Sequence, residues 1–147
     1  MQPIDKIYPK QSSICTCMNV RRASRAVTQF YDEALKPCGL SIAQLSLLKH
    51  LASAEPITIS DLAKLMRIDR TTLNRNMKPL ADNGLLFINP GKDSRTRQVT
   101  LTDRGKAAHI EAWRLWEEAQ ASIREYLGEE DSTRLVQLLS RLEAIVP

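Results

Sequence analysis

The sequence predicts a mainly α (α+β) fold. The pattern is a winged helix-turn-helix flanked by long N- and C-terminal helices, in the order α-α-β-α-α-β-wing-β-α-α. Three observations predict it. The run from Asp93 to Gly105 passes from a basic, turn-forming tip into an alternating strand and then into a capped helix, which is how a β-hairpin wing is written. Just before it, two short amphipathic segments between Ile59 and Asn83 are joined by the turn Arg67-Ile68-Asp69. Both ends of the chain carry apolar stripes at helical spacing, longer than a small lobe needs for its own core.

The elements follow in order. Residues 1–11 hold two prolines and no periodicity, and read as an arm. From Ser12 or Ser13 to Lys36, Val20, Ala23, Val27, Phe30 and Ala34 recur at spacings of three and four, until Pro37 and Gly39 stop the helix. Ser41 with Gln44 reads as a capping box for a second helix buried through Leu45, Leu48 and Leu51 or Ala52. Pro56-Ile57-Thr58 is a short extended piece. Thr58 or Ser60 then caps a brief helix through Met66, and Asp69 caps the next, which runs to about Asn83 with Leu73, Met77 and Leu80 inward. Pro79 should loosen that helix, since it cannot donate to the carbonyl of Arg75. Gly84 ends it. Leu85 to Asn89 and Thr96 to Leu101 are the hairpin strands, with Pro90 to Ser94 as the turn. Thr102 caps a long helix to Leu127, with Trp113, Trp116, Ala119, Ile123 and Leu127 as its expected stripe. After Gly128 a last helix starts at Asp131 or Ser132, with Leu135, Leu138, Leu139, Leu142 and Val146 on one side.

At 147 residues the chain is one unit. Residues 41–105 are expected to form the winged lobe, and residues 12–36 and 106–147 the dimerisation helices. Net charge is +4, but its distribution is uneven: residues 57–105 hold 9 basic and 5 acidic groups, residues 106–147 hold 5 and 8. A polyphosphate is drawn to the first segment and not to the second. No apolar run approaches the roughly 20 residues needed to cross a bilayer, and the first thirteen residues lack a signal-peptide core. The expectation is a cytoplasmic protein with no membrane contact, whose three cysteines are reduced thiols. With only His50 and His109 besides those cysteines, no metal site, no cofactor and no enzymatic activity are expected.

The second helix of the pair should enter a major groove by its N-terminal residues. Arg70, Thr71, Thr72, Asn74 and Arg75 lie on its outer side. Arginine can donate two bonds to guanine, asparagine can pair with adenine, and threonine offers a hydroxyl and a methyl. Lys78 is placed for phosphate. In the wing, Asp93 can fix the turn by accepting from nearby amides. Arg95 could then reach a narrow minor groove, with Arg97 or Lys92 on phosphate. The blander alternative is an amphipathic helix and a charged hairpin tip that keeps an edge strand soluble.

The wing residues carry a resemblance. The chain resembles the MarR family of bacterial transcriptional regulators over almost its whole length, from about Cys15 to Val146. The family pattern D-x-R, a basic residue, then V-x-L-T-x-x-G is met by Asp93, Arg95, Arg97, Val99, Leu101, Thr102 and Gly105. The resemblance implies a homodimer built by the terminal helices, binding a palindromic double-stranded operator as a repressor that a ligand or oxidation releases. The stretch Cys17 to Thr28 is also similar to the start of the family's organic-hydroperoxide sensors, with Cys17 eight residues before Arg25. In those sensors two tyrosines of the partner subunit hold the cysteine. Tyr31 matches the first, and Ile42 stands in place of the second.

Three readings of Cys15 and Cys17 stay open: small apolar residues at a dimer interface, a thiol sensor, or contact with a ligand. Within one helix, residues two apart point about 200° from each other, which disfavours a bridge between them. Arg21 and Arg22, one turn on, favour the thiolate. Phe30, Tyr31, Trp113 and Trp116 either line a pocket, for which the resemblance implies a small aromatic ligand, or are core aromatics. The reading is therefore a dimeric, sequence-specific DNA-binding regulator. The rivals are a thiol-redox protein, which would turn over a peroxide, and a winged-helix interaction module, which would prefer no DNA sequence.

Overall fold

The computed structural model describes residues 3–93 and 95–147; Met1, Gln2 and Ser94, the last placed by the sequence in the wing turn, lie outside the described residues. The helices are α1 (Thr16–Leu35), α2 (Ile42–Ala54), α3 (Ile59–Met66), α4 (Arg70–Asp82), α5 (Asp103–Leu127) and α6 (Glu129–Glu143). The strands are β1 (Ile57–Thr58), β2 (Leu86–Asn89) and β3 (Gln98–Leu101), in one antiparallel sheet of order β1-β3-β2. The fold is the mainly α winged helix-turn-helix that the sequence predicts.

The lobe core is aliphatic. Leu45, Leu47, Leu48 and Leu51 of α2 meet Leu62 of α3, Leu73, Met77 and Leu80 of α4, and Val99 and Leu101 of β3. Register explains the choice of strand residues: Leu86 pairs with Leu101 and Ile88 with Val99, so one face of the hairpin points inward. Phe87, on the other face, is exposed.

Caps set the helix starts. The Ser41 and Gln44 box is complete in both directions at 3.0 and 3.2 Å. Thr58, rather than Ser60, caps α3 by accepting from the Asp61 amide at 3.1 Å. Thr102 has two roles: its hydroxyl donates to the Gly84 carbonyl at 2.6 Å and accepts from the Gly105 amide at 3.0 Å. It thereby ties the end of the α4 turn to the start of α5.

Four expectations need correction. First, α1 starts at Thr16, not at Ser12 or Ser13, because Ser13 and Asn19 exchange two hydrogen bonds of 2.9 and 2.7 Å that close the chain ahead of the helix. Second, β2 begins at Leu86 rather than at Leu85, while α4 runs through Pro79 to Asp82, close to its expected end. Third, α5 is rotated from the expected stripe. Its buried line is Ala112, Leu115, Ala119 and Ser122, and Trp113 and Trp116 lie half-buried beside it. Small side chains let α5 approach α1 and α2 closely, which the bulk of tryptophan would prevent. Fourth, α6 begins at Glu129, directly after Gly128, and its acidic first turn (Glu129, Glu130, Asp131) suits a helix N-terminus.

The terminal helices leave apolar surface uncovered. Val20 and Val27 on α1, Tyr126 on α5, and Leu135, Val136, Leu138, Leu139 and Leu142 on α6 are all exposed. Of the predicted α1 stripe, Ala34 is buried and Phe30 packs beside it, while Val20, Ala23 and Val27 face outward.

Candidate nucleic-acid interface

Two local devices aim α4. Arg67 closes α3 in the left-handed conformation (φ 55°), and its amide and that of Ile68 return to the carbonyls of Lys64 and Ala63 at 3.1 Å. The chain thus reverses within three residues. Asp69 then caps α4, its Oδ1 accepting from the Thr72 amide at 2.7 Å. That bond holds the Asp69 carboxyl below the usual carboxylate range, with Arg75 adding a smaller pull.

Leu73, Met77 and Leu80 bury the inner line of α4. Thr71, Asn74, Arg75 and Lys78 are exposed on the other side, and Arg70 and Thr72 are half-buried at the first turn. Lys78 sits 3.5 Å from Asp82, an exposed pair one turn on. Such pairs contribute about 0–1 kcal/mol, so a phosphate can displace Asp82.

The wing is pinned by Asp93. Its Oδ1 accepts from the amides of Arg95 at 2.8 Å and Thr96 at 3.2 Å. Those two residues belong to the turn, so β3 starts at Gln98 rather than at Thr96. Lys92, Arg95 and Arg97 are exposed around this tip. Gly91 is required there, since a side chain on it would overlap the Thr96 hydroxyl and backbone. Together, α4 and the wing present arginine, lysine, asparagine and threonine outward from one lobe, the residue types that meet base edges and phosphates.

The sensor candidates are not gathered into one place. Cys15 is the extended residue ahead of α1 (φ −92°, ψ 116°), so the angular argument against a Cys15–Cys17 bridge, which assumed both in one helix, does not apply. Cys15 and Cys17 are exposed, and all three cysteines are free thiols. Tyr31 is buried, its hydroxyl donates to Gln120 Oε1 of α5, and burial raises its phenol above the ordinary value.

The pocket candidates divide. Phe30 packs edge-on to Tyr31 and lines a groove of about 620 Å³ between α1, α5, α6 and the arm, with Val27, Ile123, Leu135 and Leu139. Trp113 and Trp116 do not line it; they stack on each other at 4.4 Å, with the Lys49 ammonium 4.8 Å from the Trp113 ring. Trp116 still touches the Tyr31, Ala34 and Ala119 cluster that Phe30 flanks. Among the described residues no group of three or more histidine, cysteine or carboxylate side chains could hold a metal ion, and no helix is long and apolar enough to cross a membrane.

Sequence reasoning assigned Arg67 only to the turn. The structure extends it outward, three residues before Arg70, onto Glu143 of α6 at 2.6 Å. The signal available in the sequence was a basic residue beside a predicted cap.

Comparison with known proteins bears on this lobe. Residues 41–86 match a family model described as a helix-turn-helix domain. The crystal structure of the M. tuberculosis transcriptional regulator MosR is 34% identical, with a TM-score of 0.78 over 90% of this chain and 95% of that one. MosR has also been solved in complex with DNA, at 34% identity and a TM-score of 0.76. The HTH-type transcriptional regulator YdgJ of Bacillus subtilis is 32% identical over 109 residues, which are 71% of this chain and 64% of that protein. A mutant MarR from E. coli, complexed with operator DNA, shares the fold at a TM-score of 0.78 with 23% identity.

Proposed function

The chain belongs to the MarR family of transcriptional regulators, and on that premise we propose that it acts as a homodimeric repressor of a palindromic operator, relieved by a small ligand or by thiol oxidation. The observation that carries the DNA-binding part is the joint presentation, on one lobe, of the outer face of α4 and the Asp93-pinned wing. The MosR complex with DNA supports the same partner. In this reading Arg70, Thr71, Thr72, Asn74 and Arg75 read base edges, and Lys78, Lys92 and Arg97 hold phosphate. Arg95 reaches the minor groove, on the tip that Asp93 fixes.

The homodimer is supported by the apolar surface left on α1, α5 and α6. A face of that size on long terminal helices calls for a partner, and a two-fold copy is the simplest. Two lobes would then place their α4 helices about 34 Å apart, on successive turns of one face of the duplex.

Two devices could receive the signal. The groove beside Phe30 is apolar and large enough for a small aromatic molecule. The thiols of Cys15 and Cys17 are free and exposed at the start of α1, open to an oxidant from solvent. The test is a gel shift on the duplex flanking the protein's own gene, before and after mild peroxide, with Cys17→Ser alongside. Loss of the shift after peroxide in the parent but not in the variant supports the thiol. Binding unchanged by peroxide ends that branch and leaves the ligand.

A further inference from the structure

The ion pair between Arg67 and Glu143 joins the two ends of the machinery. Arg67 is the left-handed residue that closes α3, two positions before the α4 cap. Glu143 is the last residue of α6, the helix farthest along the chain from the lobe. Their side chains meet at 2.6 Å over an open cleft also lined by Ile68, Ser140, Ala144 and Val146. Arg67 is the one described residue of the helix-turn-helix turn with a guanidinium, and its backbone is fixed by two turn hydrogen bonds. Its side chain is largely exposed and reaches Glu143, and in the chain it stands three residues ahead of Arg70, at the end of α4 that would meet a groove. The phosphates flanking that groove are the partners a guanidinium in this position takes.

We propose that Arg67 is a DNA-backbone contact and that Glu143 competes with phosphate for it. In the free protein the carboxylate holds the guanidinium on α6. On DNA a phosphate replaces the carboxylate, and the C-terminal end of α6 is released from the turn. The inference rests on the DNA-binding reading and extends it, because it couples α6, a helix of the proposed dimer face, to occupancy of the lobe. By linkage, anything that shifts α6 away from the lobe strengthens DNA binding, and DNA binding loosens α6 by the same factor.

Both groups are largely exposed, at 75% and 54% of the side chain. Solvent screens an exposed pair of this kind, so its removal changes affinity by at most about 5-fold.

The experiment is a double-mutant cycle read by fluorescence anisotropy on the duplex flanking the protein's own gene, with a salt series. The variants are Glu143→Gln, Arg67→Gln, the pair together, and Arg67→Lys. Glutamine at position 67 keeps the same left-handed demand as arginine, and thermal melts check that every variant folds. Glu143→Gln is expected to tighten binding about 2- to 5-fold. Arg67→Gln is expected to weaken it and to lower the salt slope by about one phosphate. In the Arg67→Gln background the Glu143→Gln gain should vanish, and Arg67→Lys should restore part of it. Binding that is unchanged or weaker in Glu143→Gln overturns the proposal. So does an equal gain in the presence and absence of Arg67, which would mean that any lost negative charge suffices. If the parent protein binds no duplex at any salt, the DNA-binding reading fails with it.

Discussion

Gly105 has no room for a side chain, because a methyl there would overlap the carbonyl oxygen of Leu85 and crowd Leu101. This contact brings the first turn of α5 against the bend just ahead of β2, and Thr102 fixes it by bonding Gly84 and Gly105 together. Gly105→Ala should therefore destabilise the lobe by about 1–3 kcal/mol through overpacking, read as a lower midpoint in urea. A second residue-scale expectation concerns His109. Its Nε2 is buried without a hydrogen-bond partner among the described residues, and burial first, with the Lys49 ammonium second, holds its imidazole below the usual histidine value. The folded state thus favours the neutral ring. Its contribution is intact above pH 6.5 and is lost as pH falls from there towards the lowered folded value, while the unfolded chain takes up the proton. Melting temperature should drop between pH 7.5 and 5.5, and His109→Gln should flatten that drop. An identical pH dependence in both proteins would remove His109 from the account.

At the scale of elements, α4 and the wing make separable demands. Arg75→Ala is expected to cost about 1–3 kcal/mol and to relax preference at one base position, as a binding series on single-base variants would report. A uniform loss across all sequences would instead make Arg75 a phosphate contact. These elements were legible because their signals are local. The Asp69 cap, the inward Leu73, Met77 and Leu80, and the Asp93 turn each depend on residues within about four positions. What sequence could not supply came from distance. The α5 stripe was placed on its tryptophans, since bulk usually marks a core, but α1 and α2 pack so closely on α5 that only Ala112, Ala119 and Ser122 fit between them, with Leu115 beside the lobe core. The start of α1 was misplaced because the bonds between Ser13 and Asn19 span six residues. The Arg67 and Glu143 pair, 76 residues apart, has no trace in any pattern.

On the scale of the whole molecule, the lobe has an extensive core, while the terminal helices share only the small cluster of Tyr31, Ala34 and Ala119 besides what they lend to the lobe. Leu48, Leu62, Leu73 and Val99 are fully buried, whereas Leu135, Leu138, Leu139 and Leu142 are 38–46% exposed. In the proposed homodimer a second copy of the chain would cover that face, and two modest lobes would act as one tight reader of a symmetric site. Leu139→Glu should shift sedimentation towards a monomer and weaken operator binding, while leaving the melting of the lobe intact. A dimer that survives this change would place the interface elsewhere. Sequence-specific DNA binding is tested by the ratio of two dissociation constants, measured by anisotropy at one fixed salt concentration of about 150 mM: the duplex flanking the protein's own gene against a scrambled duplex of equal length. The flanking duplex is expected to bind at least about 10³-fold more tightly. Equal constants for the two duplexes would contradict it.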